Sequence, residues 1–308
     1  MPAPSNDASA ADCRSAILAT AVVPWTVRGE FDADAFVRQV RHLAGALTRH
    51  IYIFGTAGEG YAVSEGQFDQ VAGTFWTVAR ECAVTPMLGV ISLSLATIIE
   101  RIERGRALGF RQFQLSLPAW GALNDRELDL FFAETAGRFP DCQFLHYNLL
   151  RTKRLLTSVE YRRLAAVHPN LLAVKTGASD PAVVADLLTM SPRIRFYFGE
   201  FGYPLARSTH EVGLLISLAS INPVLARRYV GGTDADRADL LPDLRAMLAV
   251  LLELGRDRFH IDGAYDKLIY RVTEPSFPLR LLPPYSAPSE PDFDRFRTAL
   301  PARWRPEH

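Results

Sequence analysis

Long hydrophobic runs are missing from this 308-residue chain; none approaches the roughly 20 apolar residues that cross a bilayer, which argues against a membrane partner. The first twelve residues are small and polar and lack the basic-then-apolar pattern of a secretory leader. Cysteine is scarce. Cys13, Cys82 and Cys142 lie far apart without a C-x-x-C pair, which gives neither a zinc signature nor a disulfide framework and points to a reducing, cytoplasmic compartment. No excess of one charge exists either, since 34 Lys+Arg balance 34 Asp+Glu. Nucleic acid is therefore not an expected partner, because counterion release needs a basic surplus. The seven histidines show no metal-ligand spacing, and neither G-x-G-x-x-G nor G-x-S-x-G occurs. No metal or organic cofactor is expected.

What the chain does hold is apolar in the right proportion for a core: 48% hydrophobic and 22% charged residues. Eight short apolar runs recur, at residues 17–23, 51–54, 87–91, 113–117, 144–147, 171–175, 194–198 and 214–218. Each is nearly continuous rather than alternating, as in parallel strands covered on both faces. Helix starts separate them. Ser64 with Gln67, Thr157 with Glu160 and Asn124 with Glu127 fit capping boxes, and Asp180-Pro181 places a capping carboxylate before a first-turn proline. Eight strand–helix units predict a (β/α)8 TIM barrel, with a doubly wound open sheet as the alternative. The expected organisation is a flexible tail over 1–13, a barrel over 14–233 that carries the active site, and a C-terminal helical region over 234–308 packed on the barrel.

In a barrel, chemistry gathers at the C-terminal ends of strands, and three places qualify. Lys175 ends the sixth run and is one of only three lysines, with Lys153 and Lys267, among the 34 basic residues. Desolvation lowers the pKa of an amine, and a neutral amine is a nucleophile able to form a Schiff base, which arginine is not. A lysine there can equally reach solvent or pair with a carboxylate. His146-Tyr147-Asn148 ends the fifth run. A hydroxyl at Tyr147 can pass protons to a carbonyl oxygen, or simply belong to a core aromatic. His146, next to it on a strand, should face the other way and pack behind the site. Gly55-Thr56-Ala57-Gly58-Glu59-Gly60 follows the second run, and its amides and Thr56 hydroxyl can hold an anion, although a plain βα turn also needs glycine. His260, Asp262 and Asp266 read as structural.

At these residues the chain resembles the dihydrodipicolinate synthase / N-acetylneuraminate lyase family of class I aldolases. Gly55–Glu59 is similar to the family's G-[TS]-[TS]-G-E loop, Tyr147-Asn148 to its Tyr-Asn motif, and Val174-Lys175 to its Schiff-base strand, 28 residues beyond the tyrosine. Val23-Pro24-Trp25, residues 213–222 and residues 280–284 resemble further family segments in the same order. The resemblance implies a pyruvate-like keto acid and an aldehyde as small-molecule partners, and a homotetramer or homodimer. It implies that Lys175 forms the imine, that Tyr147 shuttles protons, that Thr56 and Ala57 hold the keto-acid carboxylate and that Ile216 lines the pocket. Arg151 is similar to a substrate-carboxylate arginine after a one-residue gap.

Two departures bear on substrate. Ala57 replaces the second hydroxyl of the loop, and Trp120 stands where Pro-x-Tyr would supply a tyrosine. An indole cannot relay a proton, so the expected substrate is not that of lysine biosynthesis, and Trp120 suggests a bulkier aldehyde. A 2-keto-3-deoxy sugar acid dehydratase using the same lysine, or a catalytically impaired keto-acid-binding barrel, are the alternatives.

Overall fold

Every one of the eight apolar runs carries a strand, and the strands close on themselves in parallel, in the order β1 to β8. They are β1 Ile17–Thr20, β2 His50–Ile53, β3 Thr85–Gly89, β4 Gln112–Leu115, β5 Gln143–Asn148, β6 Leu171–Thr176, β7 Arg195–Phe198 and β8 Gly213–Ile216. The computed structural model describes residues 17–305 except 192, 257, 260 and 261, and the side chain of Asp262 is likewise not described. The expected 1–13 tail, Cys13 and His260 lie outside the described residues.

A helix follows each strand: α1 Ala33–Ala46, α2 Glu65–Glu81, α3 Leu95–Leu108, α4 Asp125–Phe132, α5 Ser158–Val167, α6 Pro181–Leu188, α7 Tyr203–Arg207 and α8 Pro223–Gly231. This is a (β/α)8 TIM barrel, and the closure excludes the open sheet. Local chemistry sets the helix starts. The boxes at Ser64, Asn124 and Thr157 are formed, and Asp180 accepts from the amides of Ala182 and Val183. Each such cap contributes about 1 kcal/mol by satisfying otherwise orphaned amides.

Strand alternation divides the interior in two. Val174, Phe196 and Phe144 face the helices in the large core, whereas Leu18, Tyr52, Leu145 and Tyr197 pack together inside the barrel. Register then places Tyr147, Lys175 and Tyr197 side by side across β5, β6 and β7.

Among the described residues three more α-helices follow, α9 Asp234–Gly255, α10 Asp262–Thr273 and α11 Glu290–Ala299. Residues 244–254, strongly apolar in sequence, form the second half of α9.

Candidate active site

Lys175 is 1% exposed, and its Nζ lies 3.9 Å from the centroid of the Tyr147 ring and 4.0 Å from that of Tyr52. Its strand-end position delivers it to a cavity of about 320 Å³ at the C-terminal mouth of the barrel. Thr56, Ala57, Tyr147 and Ile216 line the same cavity, so five of the seven residues singled out from the sequence are brought together. Tyr52 was not singled out, because a tyrosine inside an apolar run reads as core.

The glycine-rich loop owes its composition to crowding. A Cβ on Gly60 would stand 2.4 Å from the Phe54 carbonyl oxygen, and one on Gly58 2.7 Å from the Phe54 nitrogen. A Cβ on Gly55 would come within 2.6 Å of the Tyr52 ring and 3.1 Å of Lys175 Nζ. Glycine at 55 therefore keeps space open beside the amine, while 58 and 60 let the backbone fold tightly on itself. The amides of Glu59 and Gly60 are used inside the loop, on the carbonyls of Thr56 and Gly55.

Glu59 holds this loop in place. Its Oε1 accepts from Trp25 Nε1 at 2.9 Å and from Lys267 Nζ at 2.6 Å, and its Oε2 accepts from the Leu282 amide at 2.7 Å. Both members of the Glu59–Lys267 pair are fully buried, and Lys267 also donates to the Arg280 carbonyl. Burial pushes Lys267 down to about 8, with the Glu59 charge acting in the opposite direction. The pair ties α10 and the segment at 280–282 to the floor of the site.

Two carboxyl groups that sequence reasoning missed also line the cavity. Glu200 follows β7, and its Oε1 accepts from the amides of Ser217 at 2.6 Å and Ala219 at 3.3 Å. Burial raises the Glu200 carboxyl above the usual carboxylate range, and the backbone amides that it accepts from pull the other way. Asp266, on α10, accepts from Ser217 Oγ at 2.8 Å. Asp266, which the sequence reads as structural, thus also belongs to the cavity wall. Tyr265 and Ile269 of the same helix, with Leu248 and Leu251 of α9, close the cavity on that side.

Trp120 and Arg151 stand elsewhere in this chain. Trp120 is 84% exposed in the turn after β4, where Lys153 Nζ donates to its carbonyl at 2.8 Å. It is not among the cavity-lining residues, so the bulkier aldehyde inferred from it loses its basis. Arg151 lies exposed on the short 3-10 turn Leu150–Thr152, also outside the lining. That turn is set by Asn148, whose side-chain amide exchanges two 2.9 Å hydrogen bonds with the backbone of Leu156. His146 faces α5, as strand alternation predicts, with Nδ1 2.8 Å from the Tyr161 hydroxyl. Burial pushes it down to about 3, so it is neutral near pH 7 and is not a base for the cavity. Among the described residues, no group of three or more His, Cys, Asp or Glu is placed to hold a metal ion. No helix among them is long and apolar enough to cross a membrane.

Both the sequence and the fold have counterparts among known proteins. The sequence profile of the dihydrodipicolinate synthetase family matches residues 14–241. A 4-hydroxy-tetrahydrodipicolinate synthase from Exiguobacterium sibiricum is 25% identical over 169 residues, which span 55% of this chain and 57% of that protein. One from Prochlorococcus marinus is 25% identical over 206 residues, 66% of this chain and 68% of the relative. Among solved structures, a prophage protein of the dihydrodipicolinic acid synthase family from E. coli K12, in complex with pyruvate, superposes with a TM-score of 0.81 at 16% identity, covering 92% of this chain and 96% of the other. The N-acetylneuraminate lyase of Proteus mirabilis superposes with a TM-score of 0.80 at 18% identity, covering 92% and 98%. These two establish the fold, and the profile, which spans the glycine loop, the Tyr-Asn pair and the strand-end lysine, establishes that the chain belongs to the dihydrodipicolinate synthetase family.

Proposed function

We propose that this chain is a class I aldolase or lyase that makes or breaks a carbon–carbon bond next to a pyruvate-derived carbonyl, through a Schiff base on Lys175. The observation that carries the reading is an amine buried at a strand end, between two tyrosine rings, on a cavity shared with Thr56 and Ile216. Nζ adds to the ketone carbon of a 2-keto acid, and loss of water from the carbinolamine leaves the imine. The imine accepts the electron pair released when a proton or a carbon substituent leaves the neighbouring carbon, and the resulting enamine attacks an aldehyde or is reprotonated. Tyr147 moves protons on and off the carbinolamine oxygen. The Thr56 hydroxyl and the loop amides at 56 and 57 hold the keto-acid carboxylate.

The partner substrate differs from that of lysine biosynthesis in this reading. Ala57 puts a methyl group in the cavity wall where a second hydroxyl would donate. One observation favours dehydration of a 2-keto-3-deoxy sugar acid as the second reading. Glu200, a carboxyl buried on the same cavity, would give the proton that a departing hydroxyl needs.

Borohydride trapping tests the proposal. Incubation with pyruvate, reduction and peptide mass spectrometry should place a reduced pyruvyl adduct on Lys175. No adduct with pyruvate or with larger keto acids would overturn it in favour of a barrel that only binds. Turnover of a 2-keto-3-deoxy sugar acid with water loss and no free pyruvate would select dehydration.

A further inference from the structure

The opposite end of the barrel holds a second cavity, of about 270 Å³, at the N-terminal ends of the strands. A barrel interior at this level is ordinarily filled by branched apolar side chains. Here the inward positions at the starts of consecutive strands are His50, Thr85, Gln112 and Gln143, with Arg195 on β7. Their polar heads surround an apolar body of Leu18, Met87, Leu145 and Ala173. Among the described residues lining this cavity none is acidic, while Arg193 and Arg195 both reach it.

Arg195 is the anomaly. Its Nε and Nη2, the two nitrogens on one edge of the guanidinium, are both buried and both lack a hydrogen-bond partner. Arg207, Arg237 and Arg280 leave Nε alone in that condition; among the described residues only Arg195 has the whole edge both buried and unused. Those two N–H groups are parallel and spaced to meet the two oxygens of a carboxylate. A buried donor without an acceptor is unfavourable, and more so on a charged group, so an acceptor entering here removes that penalty as well as adding its own attraction. Arg193 is committed elsewhere, to the Ala165 carbonyl at 2.6 Å, and Gln112 Nε2 donates to Gln143 Oε1 at 3.2 Å. The Arg195 guanidinium lies 5.0 Å over the Tyr197 ring. Its unused edge is shut off from solvent, so ligand entry and a rotation of this side chain occur together.

We propose that the N-terminal mouth of the barrel is a second binding site, separate from the Lys175 cavity, for a small monocarboxylic acid with an apolar body, and that Arg195 is its anchor. The carboxylate meets the Nε–Nη2 edge, and the hydrocarbon part lies against Leu18, Met87 and Leu145. No bond is made or broken there.

Hexanoate is a suitable probe, tested by calorimetry on the full chain after Lys175 has been blocked by reduction with pyruvate or, if no adduct forms, on the Lys175→Arg variant. Binding with a dissociation constant of roughly millimolar or tighter is expected. Arg195→Gln should weaken it by about 10- to 100-fold, the effect of one charge-assisted pair, and hexanol should bind correspondingly less well than hexanoate. Equal affinity in Arg195→Gln, or no binding by the unmodified Arg195 form, would overturn the proposal. If Arg195→Gln does not fold, a crystal structure of the natural chain with hexanoate decides: density on the Arg195 edge supports the site, and an empty cavity or density confined to the Lys175 end removes it.

Discussion

Two lysines are buried in this chain to almost the same degree, Lys175 at 1% and Lys267 at 0% exposure, and their surroundings are opposite. Lys267 is closed into an ion pair with Glu59, and its remaining reach is taken by the Arg280 carbonyl. Lys175 sits between ring faces and opens on a cavity. Burial by itself therefore does not tell the two amines apart. What distinguishes the two is that Lys267 is closed into the Glu59 pair whereas Lys175 lines a cavity. The two regions also depend on each other: Lys267 holds the loop whose Gly55 leaves the space beside Lys175.

Substitutions separate the two roles. Lys175→Arg should abolish reduced-adduct formation and turnover while the thermal midpoint stays near that of the natural chain, since charge and most of the side-chain length persist. Comparable turnover by this variant would end the Schiff-base reading. Tyr147→Phe should come next, slowing turnover by roughly 10²–10⁴-fold, the span of a positioned proton-transfer group. Unchanged steady-state kinetics would assign the proton to another group. The third change acts on folding instead of chemistry. Lys267→Met leaves Glu59 as an uncompensated buried charge and should destabilise by about 3–5 kcal/mol in denaturant unfolding, with adduct formation retained in the molecules that fold. The double variant Glu59→Gln/Lys267→Met should recover part of that loss, because the stranded charge is gone. If Lys267→Met instead lost the adduct at full stability, the contrast between a structural and a chemical lysine would fail.

Much of the barrel was legible because the signals that specify it are local. A run such as 171–174, apolar throughout, has few alternatives to a strand covered on both faces. A serine followed three residues later by glutamine caps a helix wherever the helix goes, as Ser64 and Gln67 do. The candidate site was legible at Thr56, Ala57, Tyr147, Lys175 and Ile216, all of them at strand ends or just beyond, and Tyr147 and Lys175 share a register across neighbouring strands.

The parts that were not legible join residues distant in the chain. Glu59 and Lys267 are 208 positions apart, and nothing near either one announces its partner. Asp266 reaches the cavity only because α10 folds back over the mouth of the barrel. Trp120 carried a substrate argument from its place in the sequence, yet the direction of the turn after β4 puts its ring in solvent. Gln112 and Gln143 fell just outside the apolar runs and Arg195 interrupted one, and they formed no pattern until closure brought them around one cavity. By itself the sequence determined strands, helix starts and the residue types at the strand ends, because backbone propensity, capping and alternation act over a few residues. Only the tertiary structure decided which charges are paired, which side chains face a cavity and which face water, because those depend on the distances that chain closure creates.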